Sequence, residues 1–100
     1  MAERKVYKVA VKVVSQEGFC SNGHKVGDEW VIGYTTPKGN IETVTPEGMC
    51  FEAFLSLLPA ICALAYGGSF PWEADPDVIT DMACPDAKNP VVFELRRLRK

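Results

Sequence analysis

The side chains in this chain best suited to soft-metal or nucleophilic chemistry are four cysteines, Cys20, Cys50, Cys62 and Cys84, and its single histidine, His24. Cys20, Cys50 and Cys84 each stand beside a chain break or a helix end: a glycine-containing loop, the first turn of the predicted main helix, and a Cys-Pro turn. That placement suits a shared site. A thiolate at a helix N-terminus is stabilised by the unpaired amides and the dipole there, so Cys50 is the cysteine expected to have the lowest pKa. His24 follows Cys20 by four positions and could complete a Cys3His set of the kind zinc uses. Three thiolates are soft ligands, suited to zinc or to an iron–sulfur cluster, with the open position filled by His24, solvent or a partner. The chain has no Cys-x-x-Cys pair, and ligands spread from Cys20 to Cys84 match no compact zinc-finger or ferredoxin run.

Each residue also has a plainer reading. Free cysteine is a small, buried hydrophobe, the role expected of Cys62 within Ala-Ile-Cys-Ala-Leu and open for the other three. Twelve positions from Cys50, Cys62 falls about 120° around an ideal helix and so outside the shared site. The plainer reading of His24 is a solvated loop histidine. Metal-free thiol chemistry is the enzymatic alternative, with Cys50 as nucleophile and His24 as its base. A third alternative is a binding module for a protein or small molecule, built on Phe70-Pro71-Trp72, a loop otherwise expected to fold back on the core. Asp75, Asp77, Asp81 and Asp86 could serve as acid–base groups or hold a hard cation, but helix capping and solubility account for most of them. The run Arg96 to Lys100 reads as a solvated strand end.

The elements that must position these residues centre on Thr45 to Gly68, the longest apolar stretch. Thr45 is its expected N-cap, with Pro46 at the first helical position, Glu47 in the first turn and Gly67-Gly68 as the left-handed stop. The helical period turns Cys50, Phe54, Leu57 and Ile61 toward the core and Glu52, Ser56, Ala60 and Ala63 away from it. Pro59 should kink this helix or split it at Leu58, because it has no amide hydrogen and its ring meets the carbonyl of Leu55. Lys5 to Val14 alternates as a half-buried strand, Trp30 to Thr36 and Ile41 to Val44 read as a hairpin, and Val91 to Leu95 alternates as a last strand. Asp75-Pro76 reads as an N-cap followed by proline, opening a short helix through about Met82. The expected fold is α+β: a small, mainly antiparallel sheet of about four strands, covered on one face by a kinked main helix and a short second helix.

Composition bounds what this fold can be. A chain of 100 residues with 47% apolar and 24% charged side chains is expected to form a single domain over residues 1–100 with one core. Its net charge of -2 argues against nucleic-acid binding, which draws on many Lys and Arg contacts to phosphate. The basic N-terminus has no uninterrupted apolar run or cleavage site, and the apolar helix carries Glu52, Ser56 and Pro59, so neither a secretory signal nor a membrane span is expected. A cytoplasmic location follows, and there four cysteines are thiols or metal ligands rather than a disulfide framework.

The order of motifs resembles a family of small, uncharacterised prokaryotic proteins known only as an uncharacterised repeat protein family. The matching residues are Cys20 followed by Gly27-Asp28-Glu29-Trp30, then Pro46-Glu47-Gly48-Met49-Cys50, Pro59 with Ala65-Tyr66-Gly67-Gly68, and Cys84-Pro85-Asp86 running into Pro90-Val91-Val92-Phe93. The likeness spans Val9 to Leu95. It implies that Cys20, Cys50 and Cys84 recur together, that His24 and Cys62 are not regular features, and no established activity.

Overall fold

A computed structural model describes residues 6–20, 23–33 and 47–99. In chain order these form β1 (Lys8–Gln16), β2 (Glu29–Ile32), α1 (Phe51–Ala65), β3 (Val78–Ala83) and β4 (Val91–Leu98). The strands make one antiparallel sheet in the order β2-β1-β4-β3. Alternation along β1 and β4 fixes which face is buried: Val9, Val11, Val13, Val91, Phe93 and Leu95 point into the core and are at most 1% exposed. On the other face Lys12 stands opposite both Glu29 and Glu94, pairing unlike charges across strands.

The helix lies against the apolar face and buries Phe54, Leu57, Ile61 and Leu64 there. The predicted inward stripe is thus correct at Phe54, Leu57 and Ile61. Ala60, expected to face away, is also buried. The helix ends as its glycines require. Gly67 takes φ +91°, its amide donates to the Leu64 carbonyl, and the Gly68 amide donates to the Ala63 carbonyl at 2.7 Å, a left-handed stop that satisfies the last carbonyls.

Two expectations change and a third narrows. The short helix from Asp75 to Met82 does not form. Asp75 Oδ1 does accept a local amide bond, from Asp77 N at 2.9 Å, but the turn it makes leads into strand β3. The main helix starts at Phe51, with Cys50 as N-cap, because Gly48 at φ +83° holds Glu47 to Met49 in a turn. Of the two outcomes expected at Pro59, a kink or a split at Leu58, the split does not occur, since the helix is continuous from Phe51 to Ala65. Pro59 and Leu55 are both exposed, so the Leu55 carbonyl that loses its helical donor is on the water side. Thr45, Pro46 and the predicted strand Ile41 to Val44 lie outside the described residues. Among the described residues no helix is long and apolar enough to cross a membrane.

Candidate functional site

Cys20, Cys50, Cys84 and His24 line one cavity of about 240 Å³, with Glu52 and Asp86 also in its lining. Each cysteine comes from a different part of the chain. Cys20 is in the loop between β1 and β2, Cys50 is the N-cap of α1, and Cys84 opens the turn from β3 to β4. All three are partly buried and packed against the core. Cys62 does not line this cavity. It is half-buried on the helix rather than a core side chain, and burial pushes its thiol pKa up.

Two residues tie these segments together. His24 is 5% exposed, so it is not the solvated loop histidine of the plainer reading. Its Nε2 accepts the Cys50 backbone N–H at 3.0 Å, which places the proton of the neutral ring on Nδ1. His24 thereby caps the helix that the Cys50 side chain leaves without a cap bond. Trp30 and Phe93 flank the imidazole in edge-to-face pairs, with ring centroids 5.1 and 6.4 Å away. Burial lowers its pKa, partly offset by the nearby Asp28 carboxylate, and so favours the neutral, accepting ring. Trp30 Nε1 in turn donates to the Glu47 carbonyl at 3.1 Å and steadies the turn before Cys50.

Asn89 makes the second tie. Its Oδ1 accepts the Phe19 amide at 2.9 Å, and its Nδ2 donates to Asp86 Oδ2 at 3.2 Å, joining the Cys20 loop to the Cys84 turn. A Cβ at Gly18 would run into the Asn89 amide, and Gly18 also holds φ +69°, so only glycine allows this approach without strain. Asp86 accepts amides from Lys88 and Asn89 and from the Asn89 side chain, which hold its carboxyl below the usual range, the Asn89 side chain contributing most.

The sulfurs have distinct surroundings. Cys84 Sγ accepts the Val91 amide at 3.3 Å and faces the Asn89 carbonyl at 4.0 Å. Cys50 Sγ belongs to the residue that opens the helix, beside the partial positive charge of its first amides. No three His, Cys, Asp or Glu side chains among the described residues stand close enough together to hold a metal ion. The four donors therefore share a cavity without forming a closed coordination sphere.

The remaining carboxylates singled out in the sequence are not gathered at this cavity. Asp77 accepts Arg97 Nε at 3.0 Å and Arg99 Nε at 2.8 Å, and Asp75 pairs with Arg96 at 3.5 Å. Arg97 departs from the solvated-end reading. It is 4% exposed and also donates to the carbonyls of Leu64, Gly68 and Pro76. Inward alternation at Val91, Phe93 and Leu95 reaches position 97 next, and that is the signal that could have found it. In comparisons with known proteins, no family model, curated protein or solved structure matches this chain.

Proposed function

We propose that the cavity at the start of α1 is a soft-ligand centre in which Cys20, Cys50 and Cys84 hold zinc or an iron–sulfur cluster. The observation that carries this reading is the common cavity lined by three thiols and an imidazole from separate segments. The Val91 amide already donates to Cys84 Sγ, and Cys50 stands at the start of the helix, so both sulfurs lie where polar hydrogen-bond donors are close by. Loading draws the thiols closer than they stand in the open arrangement. The fourth position falls to solvent, a partner, or His24, which would have to release the Cys50 amide to ligate through Nε2. The proposed kinship with the three-cysteine repeat-protein family and a cytoplasmic setting both fit this chemistry.

Elemental analysis and a visible absorption spectrum of protein purified without oxygen test the reading. Zinc or cluster iron near one site per chain is the expected result, lost in Cys50→Ser and Cys84→Ser and retained in Cys62→Ser. Metal-free protein that takes up neither ion on reconstitution ends it. The second reading, Cys50 as a nucleophile, is favoured by its place at the helix start. It predicts fast alkylation of Cys50 near neutral pH by metal-free protein, with Cys50→Ser abolishing the fast phase.

A further inference from the structure

A second hollow, of about 590 Å³, lies between α1 and the edge strand β3 and shares no lining residue with the cysteine cavity. Ser56, Ala60 and Ala63 supply its helical side, where small side chains leave room. Phe70 and Trp72 line it as a stacked pair, with ring centres 4.8 Å apart and planes within 4°. Trp72 is 73% exposed, so a large aromatic surface meets water here. Asp81 is the one charged residue in the lining. Among the described residues its carboxylate has no hydrogen bond or ion pair.

The backbone brings Asp81 to the hollow by an irregularity. Pairing of β3 with β4 shifts between Ile79 and Met82, and Asp81 in that interval takes φ +60°, the one left-handed non-glycine residue among those described. The same feature bears on what can dock. Thr80 N donates to Glu73 Oε2 at 3.0 Å, so that amide is already taken and the broken register offers no regular edge for an added strand. The lining carries no Lys or Arg to meet an anion. A primary ammonium seeks acceptors for three N–H groups, and the side chains here supply the Asp81 carboxylate and the Ser56 and Thr80 hydroxyls, the Thr80 hydroxyl being already bonded to Glu73. An alkylated ammonium needs none, is weakly hydrated, and is attracted both to aromatic rings and to an unpaired carboxylate.

We propose that the hollow between α1 and β3 binds an organic cation bearing an alkylated ammonium group, recognised by the Phe70–Trp72 pair and Asp81. The site is independent of the cysteine centre. Titration of 15N-labelled protein with choline and with its uncharged isostere 3,3-dimethylbutan-1-ol tests it directly. Choline should shift the signals of Ala63, Asp81 and the Trp72 indole, with affinity roughly tenfold above that of the isostere. Asp81→Asn keeps a residue that tolerates positive φ, so it should fold normally and lose most of that preference. Trp72→Leu, at an exposed position, should weaken choline more than the isostere. Equal affinity for the two probes, no shifts at these residues, or a choline preference untouched by Asp81→Asn overturns the proposal.

Discussion

Arg97 carries the densest polar network among the described residues, and it belongs to structure rather than to chemistry. Its guanidinium meets the Leu64 and Gly68 carbonyls at the helix C-terminus, where a cation is favoured, and joins them to Pro76 and Asp77 before β3. Arg97→Met leaves three carbonyls short of a donor and should cost about 1–3 kcal/mol in urea unfolding, the range for polar groups left unsatisfied. Arg97→Lys keeps the charge without the fork and should fall between the two. A loss below about 0.5 kcal/mol for Arg97→Met, the range of ordinary surface changes, would refute this role. Asp77 adds a pH signature. Hydrogen bonds from Arg99 and then Arg97 hold its carboxyl below the ordinary value of 3.8. The folded state thus binds fewer protons than the unfolded chain, and the stabilisation is complete above that value and lost as pH falls through the lower folded pKa. Urea midpoints should show a constant gap between wild type and Asp77→Asn near neutral pH, narrowing only in acid. A gap that widens in acid would reverse the assignment.

At the scale of elements, legibility followed periodicity. β1 and β4 were readable because alternate residues are buried without interruption, and the core side of α1 because Phe54, Leu57 and Ile61 share a helical face. β3 was not. Its consecutive Val78 and Ile79 are both buried and its register breaks before Met82, so the period of two is lost within the strand. Asp75 does accept a local amide bond, yet a local turn and a helix start have the same signature over three residues. The helix start was misread for a related reason: Thr45 and Pro46 have the right types, but Gly48 breaks the run and His24, distant in sequence, does the capping. Pro59 offers a test of the surviving helix. It lies mid-helix on the exposed side and leaves the Leu55 carbonyl without its usual donor. Pro59→Ala should therefore stabilise the fold, by up to about 3 kcal/mol. A destabilised Pro59→Ala would mean that the proline ring packs usefully along the hollow it lines.

In the whole molecule, the cysteine cavity forms because the loop after β1, the start of α1 and the β3–β4 turn meet at one place in the fold. The residue types of that site were legible in the sequence. Its ties were not, since the bonds of His24 to Cys50 and Asn89 to Phe19 join positions that only the fold brings together. Those ties are few, and this sets the size of the last prediction. An ion held by Cys20, Cys50 and Cys84 would cross-link three segments of the native chain, so its binding free energy adds to stability. At a free ion concentration about 100 times its dissociation constant the gain is about 2.7 kcal/mol, or roughly 10–20 °C in Tm for a domain of this size. Reconstituted wild type and Cys62→Ser should both show that rise, reversed by a chelator, because Cys62 does not line the cavity. Cys84→Ala should melt at one temperature with or without the ion. Asn89→Ala separates positioning from ligation: it removes no sulfur but frees the Cys20 loop from the Cys84 turn, so the ion should still bind, more weakly, with a smaller rise in Tm. If wild type gains no stability from zinc or from cluster assembly, the soft-ligand centre is lost and the alkylation kinetics of Cys50 become the deciding measurement.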